Sequence, residues 1–179
     1  MPLKNSGNAW ELRLKRLAAN IEALTAKDED RIRQWHEILA LRREAATELY
    51  AVCAGFVESV NRLLPHPVVH LDPPPAGEWE FRDDGINLIQ INVRGRILQV
   101  AFQATSDLLS TEDFRIPYTL EGTVRAFNQD LLDKDLVEEQ LLFHTVERQR
   151  QMWRFFDPRT HRSGSFDREY LISLMEQVV

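Results

Sequence analysis

Residues 86–104 read INLIQINVRGRILQVAFQA. Two runs rich in β-branched residues, Ile89–Val93 and Ile97–Ala104, flank Arg94-Gly95. A two-residue connection with glycine suits a tight hairpin, because such turns need a positive φ. An antiparallel sheet therefore forms the centre of the protein. Working toward the N-terminus from it, Asp84-Gly85 makes a turn, and Glu78–Arg82 reads as a short strand with Trp79 and Phe81 on one face. Working toward the C-terminus, Phe114–Leu120 and Thr123–Phe127 read as a second hairpin around Glu121-Gly122. Pro117 makes the first of these an edge strand or bulge, since proline cannot donate to a ladder. Residues 137–147, VEEQLLFHTVE, fit helix or strand by period; we read a strand at about 140–147, joined through Arg148–Arg150 to Met152–Phe156.

Helices bound this sheet. Asp167 is placed to cap a closing helix, with Phe166 stapled on Leu171 and an apolar face of Tyr170, Leu171, Leu174, Met175 and Val178. At the other end Asn8 and Glu11 fit a capping pair. Trp10, Leu14, Leu17, Ile21 and Leu24 follow at alternating spacings of four and three, an a/d seam. The register then meets Asp28 and Arg31, resumes at Ile32, Trp35, Ile38 and Leu39, and widens from Ala45 to Leu64 before Pro65 and Pro67 stop it. One long or slightly broken helix, roughly 85 Å at 1.5 Å per residue, fits this pattern; a hairpin turning near Thr25–Asp28 is the alternative. The widened stripe belongs on the body of the domain, and the narrower seam has no evident partner in the chain. The class is α+β: a long N-terminal helix or helical hairpin, an antiparallel sheet of about six to seven strands, and a C-terminal helix. The expected organisation is a helical arm over 1–64, coiled-coil-like in its first half, a proline-rich linker over 65–77, and a sheet body with its closing helix over 78–179.

Composition narrows the function classes. The 179 residues carry a formal charge of −6, 44% hydrophobic residues, 7 glycines, 8 prolines and 1 cysteine. These values exclude collagen-like and low-complexity chains, an internal disulfide framework and multi-cysteine zinc modules. An acidic chain points away from nucleic acid and anionic membranes. MPLKNSGNAWELRL has no apolar signal segment, and no run of about 18 apolar residues occurs, so the expected location is cytoplasmic. Charge is uneven: residues 105–147 hold 3 basic against 10 acidic residues, and 148–168 hold Arg148, Arg150, Arg154, Arg159, Arg162 and Arg168 against Asp157 and Asp167.

Phosphate-loop, dinucleotide and nucleophile-elbow patterns are absent from the sequence. Cys53 lies among Val52, Ala54 and Phe56 and reads as inert core. His66, His70 and Asp72 share a face if HPVVHLD is extended, but the two histidines would stand roughly 13 Å apart on a straight strand, so no metal is assigned. No cofactor is implied and no catalytic residue is assigned; a non-enzymatic role is favoured over catalysis. The stretch WRFFDPRTHRSGSFD, 153–167, gathers Arg154, Arg159, His161 and Arg162 before a helix N-terminus, the donor types an anion site uses. Two readings follow. The first is an interaction or scaffold module that self-associates, as a homo-oligomer, or docks on a protein partner through Trp10, Leu14, Leu17, Ile21 and Leu24. The alternative is a domain for a small anionic ligand, with or without catalysis, that uses the 154–165 loop.

Overall fold

The computed structural model describes residues 6–77, 79–109, 118–129, 135–148 and 150–179. Helix α1, Ser6–Leu63, is continuous, so the hairpin alternative is set aside. It starts two residues before Asn8, which therefore lies inside the first turn and is not the cap. Among the described residues seven strands follow: β1 (Val69–Asp72), β2 (Asn87–Val93), β3 (Arg96–Leu109), β4 (Tyr118–Asn128), β5 (Asp135–Glu147), β6 (Arg150–Asp157) and β7 (Arg162–Ser165). Helix α2, Arg168–Val178, closes the chain. The strands form one antiparallel sheet in sequence order, each paired with the next. Two compact units divide the chain, Met1–Ala40 and Leu41–Val179. Among the described residues no helix is long and apolar enough to cross a membrane.

The β2–β3 hairpin forms as its residues dictate. Val93 pairs with Arg96, and Arg94 and Gly95 both take positive φ, 50° and 86°. That combination is the primed turn whose twist matches the strands. The C-terminal reading also holds: Asp167 accepts the Tyr170 N–H at 3.0 Å, and the five residues expected on the apolar face of α2 are its buried ones. Residues 137–147 are strand.

Three local readings are corrected. Residues 79–82 form no strand; the Asn87 side chain instead accepts the Arg82 N–H at 2.8 Å and donates to its carbonyl at 2.9 Å, taking the place of a paired strand. Phe81 and Trp79 still pack, on Phe102 and Tyr50 respectively. Residues 69–72, assigned to a linker, are edge strand β1 in register with Val93 through Gln90. Glu121-Gly122 is not a turn but the middle of β4. Gly122 lies against β3 so closely that a Cβ there would stand 2.0 Å from the Ala101 carbonyl oxygen, so it serves a close approach between strands. The remainder of the expected Phe114–Leu120 strand, including Pro117, lies outside the described residues.

In the second unit one sheet face packs on helix. Ala45, Ala46, Leu49, Cys53, Phe56 and Val57 of α1 are buried opposite Ile89, Leu98, Phe102, Leu120 and Leu142, while Leu63 and Leu64, also expected in the widened stripe, are exposed. Small side chains at 45 and 46 allow close approach, and Trp153 Nε1 donates to the Ala45 carbonyl at 2.7 Å. On the same face Phe155 stacks on Tyr170 of α2, ring centroids 4.1 Å apart. The opposite face carries a smaller apolar cluster of Tyr118, Phe143 and Phe156 with Leu141. Cys53 is fully buried, and burial pushes its thiol up to about 12, which keeps it protonated and inert.

Candidate functional site

The residues expected to bind an anion are divided by the pleat. Successive strand side chains alternate between faces, so Trp153, Phe155 and Asp157 face the helices while Arg154 and Phe156 face away. Asp157 pairs with Arg162 and Arg154 with Ser165 across β6 and β7. Arg162 therefore lies on the α2 side, in a crevice it shares with Asp157, Asp167 and Glu169. Three carboxylates against one guanidinium make that crevice unsuited to an anion. Arg159 and His161 are exposed in the turn between the strands. The Asp157 carboxylate accepts the N–H groups of Arg159 and Thr160 at 3.0 and 3.4 Å. These bonds, the Arg159 N–H foremost, hold its pKa below the usual range.

Arg154 instead joins Arg148 and Arg150. Together with Thr145, Glu147 and Met152 they line a crevice of about 360 Å³ beside the β5–β6 hairpin. The reading of 154–165 as the anion loop hid this, because Arg148 and Arg150 precede it; the signal was the i, i+4 spacing of Arg150 and Arg154 on a strand, which puts both on one face.

The apolar seam is laid out differently. Trp10, Leu14, Leu17, Ile21 and Leu24 are all exposed, between 49% and 66%. Ile32, Trp35 and Ile38 on the same helix are exposed as well. The helical stretch in the first unit carries surface ion pairs at Lys15–Glu11 and Arg33–Asp30, each within one turn. Such pairs contribute about 0.3–0.5 kcal/mol each, far less than the burial of one leucine.

Arg42 and His144, two of the buried polar side chains, escaped the sequence reading. Arg42, on the buried face of α1 one turn before Ala45 and Ala46, is 5% exposed and bonds to Thr119, Asp83 and the Thr105 carbonyl. His144 of β5 is fully buried beside the Trp153 ring, centroids 5.3 Å apart, and neither ring nitrogen has a partner among the described residues. Burial holds its pKa down at about 4, against an ordinary 6.5. The unfolded chain then takes up a proton near pH 6.5 that the folded chain refuses until about pH 4. Stability is full above pH 6.5 and falls as pH drops toward 4, by about 3 kcal/mol in all. Urea titrations across that window should show His144→Leu with a flatter profile than the parent; two parallel profiles would refute this.

His70 and Asp72 are exposed on β1 and His66 precedes the strand. Among the described residues no group of three or more His, Cys, Asp or Glu is arranged to hold a metal ion. In comparisons with protein-family models, curated proteins and solved structures, nothing matches this chain.

Proposed function

We propose that the protein is a non-enzymatic interaction module that self-associates through the N-terminal part of α1. One observation carries this reading: five apolar side chains at heptad spacing, Trp10 to Leu24, are solvent-exposed on a continuous helix. Helix in water is marginal unless an apolar face is packed. Covering each such side chain contributes about 1.5–3 kcal/mol, and tryptophan is a frequent anchor of interfaces.

Continuity of the helix also fixes the heptad phase. Leu14, Ile21 and Trp35 occupy a, and Trp10, Leu17, Leu24 and Ile38 occupy d; only Asp28 at a and Arg31 at d interrupt. In a parallel in-register pair Asp28 would face its own copy, and so would Arg31. Like charges in a seam oppose pairing, whereas an antiparallel pair removes both repulsive layers. The partner is accordingly a second copy in antiparallel orientation.

Native mass spectrometry of Leu14→Asp/Leu17→Asp tests the association. The parent is expected at a multiple of 20.9 kDa and the variant at 20.9 kDa; a variant with the parent's mass would overturn the proposal. Because the single native cysteine is buried, Leu14→Cys supplies an accessible thiol for the orientation. Ready oxidation to a covalent dimer would show a parallel pair.

A further inference from the structure

We propose that the crevice formed by Thr145, Arg148, Arg150 and Arg154 binds a multiply charged oxyanion, the phosphate or diphosphate group of a small molecule. It rests on observations separate from those behind self-association. Thr145 pairs with Met152 and Glu147 with Arg150, so one face of the β5–β6 ladder presents Arg150, Met152 and Arg154 in a row. Arg148 joins them from the turn, where it holds a left-handed φ of 43°. Three guanidinium groups and one carboxylate, Glu147, line about 360 Å³, for a net of +2.

Among the described residues, none of the three arginines is within ion-pair distance of a carboxylate, although Glu147 is the register partner of Arg150. Arg154 is half-buried, and its Nε is buried without an acceptor among the described residues. No carboxylate among the described residues offsets its charge. Guanidinium forks match phosphoryl oxygens in geometry and charge. The volume lies within the range of small-molecule pockets and leaves room for an organic body beside the anion. Arg159, His161 and Arg162, the other residues of the sequence-predicted anion set, take no part.

Isothermal titration calorimetry on the full chain, at constant ionic strength, uses pyrophosphate, orthophosphate and adenosine diphosphate as probes. Saturable binding is expected with pyrophosphate above orthophosphate, weakened tenfold or more in Arg150→Gln/Arg154→Gln and unchanged in Arg159→Gln/Arg162→Gln. Arg148→Gln/Arg150→Gln alters only exposed side chains and reads the same loss if the Arg154 variant does not fold. Tighter binding of adenosine diphosphate than of pyrophosphate would assign the site to a phosphorylated metabolite, and equal binding to the free anion; both uphold it. No saturable heat at about 10 mM pyrophosphate overturns the proposal. Binding lost in Arg159→Gln/Arg162→Gln but kept in the Arg150 variants overturns it too and returns the site to the β6–β7 turn.

Discussion

Trp153→Ala is expected to destabilise the second unit by about 3–5 kcal/mol, the range for deleting a large buried aromatic side chain. The residue is 3% exposed and joins four elements. Its ring meets Phe102 of β3 edge-on at 5.2 Å and His144 of β5 at 5.3 Å, and its N–H reaches the Ala45 carbonyl of α1. Phe102 and Trp153 stand on strands separated by two others, so their contact holds the curl of the sheet. Its loss removes packing that neighbouring strands cannot restore by small shifts. Trp153→Phe keeps most of the ring and loses the hydrogen bond, and should cost about 1 kcal/mol more than the lost volume accounts for. Urea unfolding followed by circular dichroism measures both. A cost below about 1 kcal/mol for the alanine variant would mean that Trp153 is not a packing centre.

Legibility in the sequence tracked how local each determinant is. Arg94-Gly95 announced its turn because the requirement, two positive φ angles, lies in the turn itself. Helix α2 was readable for the same reason, with cap and apolar face inside 12 residues, Asp167–Val178. Glu121-Gly122 carried the same kind of signal and misled, since Gly122 answers to Ala101 and Phe102 on another strand. Seven strands were within the expected count and seven are present among the described residues, yet the membership differs. Residues 79–82 lose their pairing to the Asn87 side chain, while β1 and β7 exist because β2 and β6 offer them an edge. The arginine-rich stretch was visible as charge, and its division between two faces required the strand boundaries. The heptad spacing of Trp10 to Leu24 was readable in the sequence, and their exposure came only with the structure. Arg42 was not readable, because its partners Asp83, Thr105 and Thr119 lie 41, 63 and 77 residues away.

Arg42 carries the second large effect. Its Nε donates to the Thr119 hydroxyl at 2.9 Å, one terminal nitrogen to Asp83 at 3.1 Å and the other to the Thr105 carbonyl. The Thr105 hydroxyl in turn donates to the Thr119 carbonyl at 3.0 Å, so the guanidinium ties α1 to β3, β4 and the turn at Asp83. Arg42→Met keeps the length of the stem and removes every donor. Thr119 and Thr105 are buried and lose a partner, and Asp83 keeps some access to water, with its side chain 29% exposed. Removing one member of a buried pair costs about 3–5 kcal/mol; the access of Asp83 to water sets the expectation at about 3. Arg42→Lys restores the charge but not the fork, and should recover less than half of that loss. Asp83→Asn leaves the two threonine bonds intact and should cost about 1 kcal/mol, so the order Met, Lys, Asn identifies the three-way fork as the stabilising feature. Because the guanidinium is shielded from solvent, the Arg42→Met loss should persist at 1 M salt, where surface pairs are screened. Equal losses for Asp83→Asn and Arg42→Met would reduce the site to a simple ion pair, and a loss that disappears in salt would place Arg42 at the surface.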